Sequence, residues 1–161
     1  MDSLISDIGV VADRLGRGLK SFDELDDMPV AVYVININGY ITYYNPAAES
    51  LWGRAPVLGV DKWCGSWDIF TADGKFIPHD KCLMADAIKQ RRPIRGIQAI
   101  AMRPDGTSFR CMPFPTPLFD DNGLIVGAIN ILLHLNEEPP PAVYVPRITM
   151  VERQALQSAK A

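Results

Sequence analysis

Several common chemistries lack their raw material in this chain of 161 residues. Cysteine is scarce: Cys64, Cys82 and Cys111 are the only three, and no two form a CxxC pair. An odd number without that spacing argues against a disulfide framework or a zinc knuckle, and reduced thiols packed in a core are expected. Histidine is scarcer, with only 2, His79 and His134. Positive charge is not in surplus: 16 Lys+Arg stand against 19 Asp+Glu, for a formal net charge of −3. Nucleic acid is therefore not an expected partner. No apolar run approaches the ~20 residues of a membrane helix, so no membrane partner is expected. The opening "MDSLISDIG" is acidic and lacks the basic start of a signal peptide, which points to the cytoplasm. No GxSxG elbow and no Walker loop occur, and neither histidine sits beside an activated nucleophile. No catalytic residue is assigned, and no enzyme is expected.

What remains is an ordinary folded domain. About half the residues are apolar (48%) and 22% are charged, as in soluble proteins generally. The length allows one domain with a sizeable core.

Residues 3–22 read as an amphipathic helix. Leu4, Ile8, Val11, Leu15, Leu19 and Phe22 recur at spacings of three and four and form one stripe. Gly9, Gly16 and Gly18 each weaken that helix by about 1 kcal/mol relative to alanine, so it needs a surface to lie on. Packing within the chain and pairing with a second copy are both open.

Residues 30–36 are rich in β-branched side chains and predict a strand. "NING" supplies a turn, and Tyr40–Tyr44 return as the second strand of a hairpin. Asn45 stands where a helix N-cap is wanted and Pro46 at the first helical position, so a short helix should run to Trp52 and stop at Gly53. Residues 54–79 read as irregular. Asp80 is placed to cap a helix over 81–90, which Pro93 ends. Three strands are predicted next, Ile94–Arg103, Ser108–Phe119 and Leu124–Asn136, with Asp105-Gly106 turning the first pair. In the last strand Ile125, Ile129, Ile131 and Leu133 face one way and Val126, Ala128 and Leu132 the other. Both faces want cover, and the N-terminal helix is the candidate for the second. The order predicts an α+β fold: one antiparallel sheet of five strands with helices grouped over one face.

This order and its motifs resemble a PAS domain. "NINGYITYYNPAAESLWG" looks like the family's opening hairpin and first helix. "RPDGTSFRCMPFPTPLFDDNGLIVGAINILL" looks like its closing strands. "WCGSWDIFTADGKFIPHDKCLMADAI" is similar to a bacterial subgroup often attached to histidine kinases. The resemblance implies the PAS fold and a signalling module that holds a small ligand or binds partners and dimerises. It divides the chain into an N-terminal amphipathic helix (1–22), a PAS domain (23–136), and a Pro-rich linker with a short C-terminal helix (137–161), the last suggested by a Thr149-x-x-Glu152 capping box.

Haem, flavin and zinc each demand particular residues. Haem needs an axial ligand facing the pocket. His79 precedes the helix that carries it in PAS haem sensors, and His134 lies with Val126 and Leu132, away from the expected pocket. The asparagine-cysteine-arginine cluster of photochemical flavin sites is missing, though a non-covalently held flavin stays open. Cys64, His79, Asp80 and Cys82 offer zinc the right ligand types at the wrong spacing. Haem, flavin and zinc are thus not expected, and no metal ligand is assigned. A soft apolar pocket is expected instead, lined by Trp63, Trp67, Phe70, Met84, Ile88, Met102, Met112 and Phe114.

PAS domains in kinases usually end in Asp-Ile-Thr and run on into a signalling helix. Here His134-Leu135-Asn136 is followed by "EEPPPAVYVP", whose prolines favour a stiff extended segment. No kinase, cyclase or DNA-binding module occurs in these 161 residues; if they are the whole protein, output is expected through contact with another protein, and otherwise an effector could lie outside them. The expectation is a non-catalytic bacterial signalling protein, homodimeric through Leu4, Ile8, Val11, Leu15, Leu19 and Phe22 of the helix and Val126, Ala128 and Leu132 of the outer sheet face. Its further partner would be a signalling protein such as a histidine kinase. The alternative is a ligand-sensing input domain of such a kinase.

Overall fold

Asn36 closes the turn that starts the sheet. Its Oδ1 accepts the backbone N–H groups of Asn38 and Tyr40, each at 3.0 Å. Gly39 adopts φ 89°, a value glycine reaches without a steric penalty. The hairpin joins β1 (Ala31–Asn36) to β2 (Ile41–Tyr44). The computed structural model of the chain describes residues 2–18 and 21–135. The expected linker and helix at 137–161, and Leu19, lie outside the described residues.

Asn45 then caps α3 (Pro46–Trp52), accepting from the Ala48 N–H at 3.0 Å. The helix ends at Gly53, which is left-handed at φ 67°. Asn45 does more than cap. It is wholly buried, and its Oδ1 also accepts from Val32 N–H at 2.9 Å. Its Nδ2 donates to the carbonyls of Leu25 and Val30 at 3.0 and 2.9 Å. One side chain thus ties α2 (Asp23–Asp26), β1 and α3 together.

Two short strands follow, β3 (Asp68–Thr71) and β4 (Phe76–Ile77), then α4 (Leu83–Gln90). Residues 54–79, expected to be irregular, thus hold two strands, because Asp68–Thr71 pairs with residues 99–102. A single 3₁₀ turn, His79–Lys81, precedes α4, whose N-cap is Cys82 without a side-chain bond, not Asp80.

The closing strands are β5 (Ala99–Met102), β6 (Ser108–Pro113), β7 (Thr116–Phe119) and β8 (Ile125–His134). The sheet has eight strands in the order β2-β1-β8-β6-β5-β3-β4, with β7 also on β8, and not the five expected. Part of the difference is one predicted strand divided in two. Pro113 lies opposite Leu132 and Thr116 opposite Ile129, so β6 and β7 keep the same register along β8. Pro115 has no N–H to donate, and the ladder lapses there. All the strand pairs among the described residues are antiparallel.

α1 (Asp2–Arg17) stops before Gly18 instead of running to residue 22. It lies on the sheet face formed by Val32, Val34, Met112, Ile129, Ile131 and Leu133, with Ile8, Ala12 and Leu15 pressed into it. The opposite face carries Tyr33, Ile35, Ala101, Phe109, Ala128 and Leu132 and is covered by α3 and α4 through Ala48, Trp52, Met84 and Ala85. The side chains of β8 alternate between the two faces as expected. Their assignment was reversed: Ala128 and Leu132, expected outside, lie in the inner core. No helix among the described residues is long and apolar enough to cross a membrane.

Candidate functional site

The inner face is where α3, α4 and the 61–67 segment close over the sheet. Its centre is Trp52, at 0% exposure. α3 ends there, and the indole meets Tyr33 edge-on at 5.1 Å and Tyr44 at 6.0 Å between ring centres. Gly65 runs flat beneath it: a Cβ at that position would stand 2.4 Å from the ring. Trp52 Nε1 is buried and has no hydrogen-bond partner among the described residues. A buried indole N–H normally finds one.

Trp63 covers the neighbouring space. Its ring fills the place a side chain at Gly39 would need, with a Cβ there only 2.5 Å away. Its backbone is left-handed at φ 71°, a conformation that costs a non-glycine residue about 1–3 kcal/mol. Two groups hold its carbonyl. Tyr33 O–H donates to it at 2.8 Å, and Cys82 Sγ lies 4.0 Å away. Asn130 Nδ2 donates in turn to Tyr33 Oη at 3.4 Å.

Burial sets the electrostatics here. It is the largest cause raising the Tyr33 hydroxyl well above its ordinary value. It raises Cys64, against the opposing effect of hydrogen bonds to Ser66 and Tyr33. It pushes Cys82 and Cys111 each up to about 12. These are neutral thiols in a core, without the activation a nucleophile needs. No cluster of three or more His, Cys, Asp or Glu side chains among the described residues could hold a metal ion. His79 Nε2 lies 2.8 Å from the Ser66 carbonyl. His134 is exposed, its ring edge-on to Phe109 at 5.6 Å. It stands on the Leu132 side of β8, which is the inner side, opposite to expectation. Burial, then the Arg103 charge, lowers its pKa below the usual histidine value.

The eight residues expected to line one pocket are dispersed over the sheet. Trp63, Met84 and Ile88 meet in the inner core. Trp67 is buried but outside that cluster, with the Arg54 guanidinium 5.8 Å from its ring centre. Phe70 and Met102 cluster with Ile100, which alternates with the inward Ala99 and Ala101 and so faces the other way. Met112 and Phe114 belong to the outer cluster under α1. Strands place consecutive side chains on opposite faces, so residues alike in softness are sent to both sides of the sheet.

The expected interface residues divide likewise. Ile8 and Leu15 are buried within the chain, and Val11 packs beside them. Leu4 is exposed on α1, and Val126 is exposed near the start of β8. Phe22 stacks on Tyr43 at 4.5 Å. The residues that sequence reasoning missed are Tyr33, Trp52, Arg95 and Asn130. Arg95 donates to the carbonyls of Ile94 and Pro115, to Thr116 Oγ1, and to Asp13 of α1 at 2.7 Å. An arginine in "RRPIRG" gives no local sign of a partner 82 residues away.

A single antiparallel sheet crossed by short helices on one face defines an α+β protein of the small-module class. The family model for the PAS domain matches residues 29–134, and the chain belongs to that family. Among solved structures, the chain is similar to a PAS domain of a protein from Colwellia psychrerythraea, with TM-score 0.54 and 18% identity over 70% of this chain and 92% of that one. It is also similar to the PAS domain of the fruit-fly ELK potassium channel, with TM-score 0.55 and 14% identity over 81% and 98%. A third is the LOV domain of a blue-light activated histidine kinase from Erythrobacter litoralis, with TM-score 0.51 and 19% identity over 68% and 99%. At such identities the likeness speaks for the fold. No curated protein matches the chain.

Proposed function

We propose that this PAS domain is a non-catalytic bacterial signalling module that works by protein contact in the cytoplasm, with a second copy of itself as the first partner. The observation carrying this reading is how the inner face is filled. Trp52, Trp63, Tyr33 and Met84 pack the space between sheet and helices with the chain's own side chains. Haem, flavin and zinc play no part in the reading. The buried Cys82 and Cys111 and the half-buried Cys64 are all raised by burial and give no activated nucleophile to build on. The outer face is closed in cis by Ile8 and Leu15, so self-contact would use what α1 leaves exposed, Leu4 at the first-turn end of the stripe and Val10 on the side away from the sheet. A signalling protein such as a histidine kinase is the proposed further partner. Native mass spectrometry of protein purified from cells tests this. A dimer without added mass supports the reading. A monomer, or a bound metabolite, sinks it.

One observation favours a second reading, a ligand-sensing input domain. The unpartnered Trp52 N–H is a buried donor, suited to a carbonyl or carboxylate of a small molecule. A bound mass that disappears in Trp52→Phe would support it.

A further inference from the structure

Two groups of exposed charge are not neutralised within the fold. Lys89 stands in the last turn of α4, and Arg91 and Arg92 follow it. Asp23, Glu24 and Asp27 stand on and just after α2, with Asp26 beside them bonded to the Tyr43 hydroxyl. Among the described residues the ion pairs are Arg54–Asp61, Lys75–Asp73 and Arg95–Asp13, and they include none of these. The pull of a helix C-terminus on cations accounts for Lys89 but not for Arg91 and Arg92, which lie past the last turn.

Both groups are held in place. Arg91 is the left-handed C-cap of α4, at φ 56°, where glycine is the usual residue. Ile94 is buried, and its N–H donates to the Pro115 carbonyl at 3.0 Å. Arg95 donates to Thr116 Oγ1 at 2.8 Å, so the basic turn is fastened to the start of β7. α2 is fastened elsewhere. Leu25 is wholly buried, and its carbonyl accepts from Asn45 Nδ2 at 3.0 Å, just past the end of β2. The sheet keeps the two groups apart: β8 pairs with β1 along one edge and with β7 along the other. The acidic turn belongs to the β1–β2 side and the basic turn to the β7 side.

We infer that the basic turn of one copy docks on the acidic turn of a second copy, joining the chains head to tail. Each patch has its complement in sign on the opposite side of the same molecule, so the fitting partner is the chain itself. The two patches differ, so the contact is heterologous, and each added copy leaves one patch of each kind free unless a ring closes. Three cations facing three carboxylates form a network, the case in which exposed charges contribute measurably. Exposed apolar side chains stand in both segments, Pro93 and Ile97 in one and Phe22 and Pro29 in the other. They supply contact area, while the charges steer the encounter and fix its register. This contact goes beyond the self-contact proposed above and uses neither Leu4 nor Val10.

Sedimentation velocity on the full chain tests it. The parent should form species larger than a dimer at low salt, and their association constant should fall by about tenfold at ~0.5 M salt, where exposed charges are screened. Lys89→Glu, Arg91→Glu and Arg92→Glu together make both patches acidic. Asp23→Lys, Glu24→Lys and Asp27→Lys make both basic and spare the Asp26–Tyr43 bond. Each variant alone should lose the salt-sensitive association, and an equimolar mixture should regain it, because each then offers the other an opposite patch. Should a reversal unfold the chain, Arg91→Gln with Arg92→Gln takes its place and should weaken the association of the parent. A parent that stays monomeric overturns the inference, and so does a mixture no larger than its parts. A dimer indifferent to salt also overturns it and leaves the α1 contact standing. In Leu4→Glu with Val10→Glu, association that persists and responds to salt supports the head-to-tail contact, and association lost entirely sinks it.

Discussion

Gly65 lies flat against the indole of Trp52, and a Cβ at position 65 would stand 2.4 Å from the ring. That approach is closer than packed side chains allow, so the backbone at 65 and the ring at 52 must have been fitted to one another. Gly65→Ala should destabilise the fold by about 1–3 kcal/mol, the usual cost of overpacking. Trp52→Phe should lose stability through the cavity it leaves. The two losses should not add, because the smaller ring makes room for the new methyl group. Urea denaturation of both single variants and the double variant checks this, and strict additivity would contradict the geometry.

Asn45 is the second place where one residue holds several elements. Asn45→Ala removes its bonds to Val32 N–H and Ala48 N–H and to the carbonyls of Leu25 and Val30. A buried polar group left unsatisfied costs about 1–3 kcal/mol, and several are left here. A loss of about 3 kcal/mol or more is expected, far beyond the ~1 kcal/mol of an ordinary N-cap. A shift in urea midpoint matching only a lost cap would show that Asn45 matters to α3 alone.

Asn45 also marks how far the sequence could be read. "YNPAAESLWG" announces cap, helix and stop in adjacent residues, and α3 has those bounds. The hairpin before it was legible for the same reason, since Asn36 and Gly39 act within a few residues. β3 was not legible. Asp68–Thr71 becomes a strand because Ile69 and Phe70 pair with Ala101 and Ile100, thirty residues on. No local pattern carries that. The inner and outer faces of β8 were undecidable from the strand itself, because both are apolar. What decides them is α1 on one side and α3 with α4 on the other. The polar links through Tyr33, Asn130 and Arg95 were invisible because they join residues distant in sequence.

The buried thiols predict both reactivity and pH dependence. With Cys82 and Cys111 pushed up to about 12, almost no thiolate exists at pH 8. A thiol reagent at pH 8 should leave both unlabelled in the native protein and label them once urea is added. The sign of the linked effect follows. The unfolded thiols ionise near 9.0, below the folded ones, so above that pH the unfolded state holds fewer protons. The contribution to stability is therefore complete below pH 9 and is lost as pH rises toward about 12. Cys82→Ala and Cys111→Ala together should flatten that alkaline decline. Rapid native labelling of either cysteine would contradict its burial.

The stripe on α1 separates docking from self-association. Ile8 and Leu15 are 9% and 2% exposed and belong to the outer core, whereas Leu4 and Val10 are 49% and 65% exposed. A glutamate at Ile8 must be buried or must lift the helix off the sheet. Ile8→Glu should therefore lower the urea midpoint and expose the face holding Val34, Ile129 and Ile131. Leu4→Glu with Val10→Glu changes no buried residue and should leave that midpoint within about 0.5 kcal/mol of the parent, as exposed substitutions do. In the proposed dimer, however, those two residues meet the partner, and a charge there should give a stable monomer by light scattering. A double variant that stays dimeric would move the self-contact away from α1. One that unfolds would mean that Leu4 or Val10 is packed in the chain's own fold.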